Sequence, residues 1–487
     1  MQSRKVLLLE FNEITWTIID PMMKKGKLPN LARMKREGAW GSPEALERYP
    51  HLDPWITWVT LHTGVDRTVH GATVLEQDQT TITAKRSWDY AIDAGKSVGV
   101  FGSISAFPPR PVPGFMVPGP FAPNDETYPA YLKPIQQLNR MHTAAHNKIA
   151  DETGPLGIVK QGFDLLRFGL RPQTCARIAR QLVQERIDKH SKWRRISLQP
   201  LVNYDFFAQI YKRYRPDYAT FHTNHAAHYM HHYWRSYDDS QFLTPAPADE
   251  KKNYGGAVEY GYELADELLG RFLALADPNT VVVLASSMGQ QPYVKDNFPK
   301  GRYIVRFKDV RRVLDLWGAK GVTEIVHVMN PQVNVKIPDA TERKRIAELC
   351  TRASRQIGSG PRTETIYVEE VGDILTITPA GLADGETESV RYFFDGAPGT
   401  RPDGYPLDEL FALDAPSPKQ GMHDPRGLVI LRGPGIRQGV ELNDAGPLDI
   451  APTILALLGV PQPSIMKGRP LTEAWQEPAA PTLRATA

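Results

Sequence analysis

With 487 residues, 41% of them hydrophobic, the chain can bury a large core and build two or three structural units, or one domain carrying large insertions. A formal charge of only +3 argues against an extended basic face for nucleic acid or a membrane surface, and the basic run at 192–195 reads as solvated. Two distant cysteines, Cys175 and Cys350, exclude a disulfide framework and a cysteine metal site.

No apolar run approaches the roughly 20 residues that cross a bilayer. The N-terminus enters the first strand without a basic leader and apolar h-region, so a soluble protein of the cytoplasm is expected. Residues 6–9 form an apolar run that reads as a buried parallel strand, with Glu10, Asn12 and Glu13 at its C-terminal end, where ligands of α/β sheets gather. Helical spacing follows over 16–38, interrupted at 24–27. Asp53 and Pro54 are suited to cap and open a helix over the next ten residues, and its free N–H groups make an anion-binding end.

A second buried strand is predicted at 96–101, followed by a loop dense in Pro and Gly. Residues 124–200 alternate amphipathic helical stretches with breaks and read as a helical cap. Strands at 217–222 and 280–285 each run into a polar loop, with a helix at 257–275 between them. That alternation predicts a doubly wound, mostly parallel α/β sheet flanked by helices. Core segments at 1–123, 201–300 and 383–476 are thus separated by the helical insertion at 124–200 and a small α+β insertion at 301–382. The Ala/Pro-rich tail at 477–487 is expected to be disordered.

In order along the chain stand Leu28-Pro-Asn-Leu, Trp58, Thr63-Gly64, His70-Gly71, Asn224 with His228, Ser286-Ser-Met-Gly289, and Gly421-Met-His423. This series resembles the alkaline phosphatase superfamily, in particular its type I phosphodiesterase/nucleotide pyrophosphatase branch. The resemblance implies an alkaline phosphatase-like core. It also implies a site whose relatives hold two divalent metals and activate a hydroxyl nucleophile. Carried over residue by residue, the metal-binding aspartates fall on Asn12, Asn224 and Ser287, one ligand histidine falls on Met288, and the nucleophile falls on Pro54 or Asp53. His228 and His423 keep the family's residue type.

Neutral oxygens and a thioether bind zinc poorly, so the usual two-metal mechanism is not expected. The cofactor is unknown and amounts to at most one divalent metal, or none, on His228 and His423. His225, His231, His232 and Asp424 are candidates to complete the set, although His231 and His232 read first as ordinary hydrogen-bonding histidines on exposed or core helix faces.

Glu10, Glu13 and Asp53 are expected beside the two histidines as acid/base groups. Asn12, Asn224, Ser286, Ser287, Gln290 and Thr57 are expected to hold substrate, with Thr57 otherwise a packing residue and Glu10 and Glu13 otherwise dipole partners of a helix start. The expected activity is a diverged transferase or hydrolase acting on a phosphorylated or nucleotide-linked substrate, a nucleotide sugar included. The alternative is a pseudoenzyme that binds an anionic metabolite or nucleotide. The sequence leaves the oligomeric state open.

Overall fold

The computed structural model describes residues 4–49, 51–73, 77–144, 166, 168–294, 302–327, 331–383, 385–413 and 419–475. The expected tail at 477–487 and part of the expected helical cap lie outside them. At the centre is an eight-stranded sheet in the order Val440–Glu441, Ala39–Gly41, Leu428–Arg432, Thr280–Ser286, Lys5–Phe11, Tyr218–Thr223, Val98–Phe101, Gly114–Val117. All pairings are parallel except the two made by Leu428–Arg432.

Alternation along the first strand splits the core in two. Leu7, Leu9 and Phe11 pack on one face against Ile18, Met22, Phe207, Leu268 and Phe272. Val6 and Leu8 pack on the other, against Trp55, Trp58, Val59, Ile454 and Leu458. A sheet buried on both faces needs apolar residues at successive positions, which is why its strands read as runs. At about 25 cal/mol per Å² of apolar surface removed from water, two such layers supply the main drive for folding.

The helix Pro54–Thr63 starts as its sequence predicts. Asp53 accepts a hydrogen bond from the Trp55 N–H, Pro54 opens the first turn, and Gly64 closes the helix at φ 65°, a left-handed backbone favourable to glycine. Trp55 to Thr63 are all buried, so this helix is a core element wedged against the sheet.

The α+β unit has a hydrophobic core of its own, running from Val305 to Phe411. Its two four-stranded sheets are antiparallel, and one pairs Ala353–Ile357 with Val390–Phe394. The expected boundary at 382 therefore falls inside this unit, because a long-range pairing draws the next segment into it. Where the chain enters and leaves, Arg302 and Lys419 bridge through two backbone hydrogen bonds of 3.0 and 2.7 Å. Among the described residues no helix is long and apolar enough to cross a membrane.

Candidate functional site

Parallel pairing brings the C-terminal ends of Lys5–Phe11, Tyr218–Thr223 and Thr280–Ser286 together, with Glu10 level with His222 and Ala285. Just past the first strand the backbone turns at Glu13 with φ 61°, a left-handed conformation that costs a non-glycine residue on the order of 1–3 kcal/mol. The turn aims the Glu13 carboxylate back over the strand ends.

Two imidazoles meet that carboxylate. His231 Nε2 lies 3.1 Å from Glu13 Oε2, and His423 Nε2 lies 3.6 Å from Oε1. His231 comes from the helix His225–Tyr237. His423 comes from the short strand Gly421–Asp424, which pairs antiparallel with Gly289–Pro292 and sets His423 opposite Gln290. The far nitrogen of each ring is pinned to a carbonyl: His423 Nδ1–H donates to Leu52 O at 2.7 Å and His231 Nδ1–H to Gly421 O at 3.0 Å. Carbonyls only accept, so both tautomers are fixed with Nε2 facing Glu13.

Side-chain amides hold the carboxylate from the other side. Asn12 Nδ2 donates to Glu13 Oε1 at 2.9 Å and to Asn224 Oδ1 at 2.7 Å, while its Oδ1 accepts from the Trp58 indole N–H at 2.7 Å. An indole N–H only donates, so the amide orientation is forced. Gln290 donates to Glu13 Oε2 and, at 3.0 Å, to the Ala227 carbonyl. Burial alone raises the Glu13 carboxyl, but the charges of His423 and His231 and the His231 hydrogen bond outweigh it and hold it at about 2. Burial pushes His423 down to about 4 and His231 down as well. We stand behind an ionised Glu13, since it also receives two amide N–H groups.

Earlier in the chain, on the strand itself, Glu10 is fully buried in a second acid–imidazole cluster. Ser103 Oγ donates to its Oε1 at 2.8 Å, His222 Nδ1 lies 3.2 Å from Oε2, and His62 Nε2 lies 3.6 Å from Oε1. Burial raises this carboxyl too, and the His62 charge and the His222 hydrogen bond bring it down to about 2. Trp58 stands over the cluster, stacked on His62 and edge-on to His222. Glu10 is thereby walled off from the Glu13 site.

The remaining expected site residues are distributed as follows. Asn224 is exposed at the rim and bonded to Asn12. Thr57 Oγ1 and Ser287 Oγ share a buried hydrogen bond of 2.8 Å, whereas Ser286 Oγ turns back to the Met288 carbonyl at 2.7 Å. Met288 is packed against Ala45 and Leu52. Asp53 caps its helix. His228 packs against His232 one turn further along the same helix, with tilted rings whose centroids are 4.5 Å apart, outside the group formed by Glu13, His231 and His423. His225 is held between Thr223 Oγ1 and Gly261 O, and Asp424 pairs with Arg426.

His231 was among the candidates but read first as an ordinary hydrogen-bonding residue. Spacing does not single it out, since His228 stands close to the same helix face. His62, His222 and Ser103 carried no sequence signal, because their meeting at Glu10 depends on strand register and helix placement.

No family model and no curated protein matches the chain. Solved structures do. Phosphonoacetate hydrolase from Sinorhizobium meliloti 1021, in complex with phosphonoformate, aligns over 94% of this chain and 96% of that one at 12% identity and TM-score 0.41. Murine ectonucleotide pyrophosphatase/phosphodiesterase 5 gives the same coverage and identity at 0.40, and the human protein 10% identity at 0.41.

Proposed function

We propose that the chain is a diverged enzyme with an alkaline phosphatase-like core that hydrolyses or transfers a group from a phosphorylated or nucleotide-linked substrate at the strand ends around Glu13, His231 and His423. The observation that carries this reading is the convergence of two orientation-locked imidazoles on one buried carboxylate at the end of the founding strand. A buried carboxylate flanked by two imidazoles whose far nitrogens are anchored gathers acid/base groups at fixed positions where a ligand can meet them. The His423 and His231 side chains are 21% and 14% exposed, so a ligand can reach them from solvent. Asn12, Asn224 and Gln290 hold the acid in place, and Asp53 fixes the helix start next to Leu52, whose carbonyl orients His423. Glu10, expected as an acid/base group, is instead held in its own buried cluster with His222, His62 and Ser103.

One observation favours the second reading, a binding-only protein. No hydroxyl stands at the helix start, and Thr57, the first one along it, is committed to Ser287. A thermal-shift screen of nucleotides, nucleotide sugars and phosphomonoesters, followed by product analysis of each hit, separates the two. Turnover lost in His423→Ala supports the enzyme. Stabilisation without turnover leaves the binding protein, and neither effect with any phosphorylated ligand refutes both.

A further inference from the structure

We propose that Glu13, His231 and His423 form a mononuclear binding site for a divalent first-row transition-metal ion of the zinc type. The ligand set differs from the one the resembled family uses. Of that family's metal positions only His423 takes part here; Asn12 faces Glu13 with a donating NH2 group, Ser287 is paired with Thr57, and Met288 is packed into an apolar cluster. The two-metal arrangement does not fit this chain.

Three geometric facts support the new site. First, one ligand atom from each residue lies within 4.8 Å of the other two, the one such group among the described residues. Nitrogen and oxygen ligands about 2.0–2.1 Å from a tetrahedral zinc are about 3.3 Å from each other. The Nε2-to-carboxylate separations are 3.1 and 3.6 Å.

Second, both rings give their Nδ1–H to backbone carbonyls, the outer contact that metal-bound histidines make almost without exception. Each Nε2 then presents a lone pair to an oxygen that also only accepts. A single proton bridges one of these contacts and leaves the other imidazole facing a carboxylate with nothing between them. A cation relieves both at once.

Third, the carboxylate is prepared for the role. Asn12 and Gln290 each donate to one of its oxygens, and the left-handed backbone at Glu13 keeps it aimed at the two rings. Two imidazoles and a carboxylate suit zinc, manganese or iron(II) better than magnesium or calcium. Three protein ligands and partly exposed imidazoles leave a coordination position open to a ligand.

The inference shares its residues with the proposed function and rests on that reading only for the metal's role, so its test reads metal binding without activity. The full chain is stripped with chelator and titrated with zinc by calorimetry, and metal content is measured by mass spectrometry after dialysis. About one zinc per chain is expected. Affinity should fall by tenfold or more in His231→Ala and in His423→Ala, and hold in His228→Ala. Cobalt(II) added to the unmutated chain avoids dependence on variant folding, and an intense four- or five-coordinate visible band is expected. A weak octahedral cobalt spectrum, zinc bound no tighter by the parent than by His231→Ala and His423→Ala, or an equal loss in His228→Ala overturns the site. A chain that binds no zinc at these residues yet turns over a phosphorylated substrate overturns the metal site and leaves the function; a chain that binds zinc there without turnover of any phosphorylated substrate does the reverse.

Discussion

At the scale of single residues, Asn12 is held as an amide by its surroundings. Its amide makes three hydrogen bonds, two as donor to Glu13 and Asn224 and one as acceptor from Trp58. Only an amide does this, because a carboxylate in the same place would face two acceptors. Asn12→Asp is therefore expected to lower stability by about 1–3 kcal/mol near neutral pH, read by urea unfolding, since it leaves buried groups unpaired and sets a second carboxylate beside Glu13. An Asn12→Asp chain as stable as the parent would contradict the network.

Two other buried residues set the acid behaviour. Burial pushes both His70 and His225 down to about 4 from the ordinary 6.5. His70 Nδ1 accepts from the Ala72 N–H, so the ring must stay neutral to keep that bond. A folded-state pKa below the unfolded one means that the unfolded chain binds more protons in between. The stability these rings contribute is complete above about pH 6.5 and is lost as pH falls toward about 4. The urea midpoint should drop across that window, and His225→Gln should flatten the drop; a midpoint level from pH 7 to 4 would refute this.

Among the elements, the ribbon that carries His423 depends on close backbone approach. A Cβ on Gly421 would stand 2.4 Å from Gln290 Oε1 and 2.6 Å from the Met230 carbonyl. Gly421→Ala should cost about 1–3 kcal/mol by forcing the ribbon off the helix, and should weaken zinc binding through the His231 contact to the Gly421 carbonyl. Unchanged stability and affinity together would show that the ribbon has slack. At the opposite wall, Asp53→Ala removes the helix cap, with an expected loss of about 1 kcal/mol by the same unfolding assay.

This scale also shows what the amino-acid pattern conveys. Apolar, β-branched runs such as Thr280–Ser286 announce buried strands, and Asp53-Pro54 announces a helix start, because both signals are local. Which face of His225–Tyr237 turns inward depends on packing against Ala257–Leu275, so His231 and His228 could not be ranked from the sequence. The meeting of Glu10 with His222 is a matter of register between strands more than 200 residues apart.

For the whole molecule, a doubly wound sheet gathers loops from distant segments at one edge, and the α+β unit stands apart with its own core. The end of that unit was misplaced at 382 because Val390–Phe394 joins it through a pairing no local pattern reveals. Separate cores predict separate cooperativity, so calorimetry should show a transition enthalpy exceeding its van't Hoff value, or two resolved transitions. One two-state transition would mean that the units unfold together.

The proposal that Glu13, His231 and His423 together hold one metal ion can be checked by anomalous diffraction from crystals of the full chain soaked in zinc. The account predicts one anomalous peak about 2.0–2.1 Å from Nε2 of both His231 and His423, and at bonding distance from the Glu13 carboxylate. Absence of a peak there, or a peak lying instead among Asn12, Asn224, Ser287 and Met288, would contradict it.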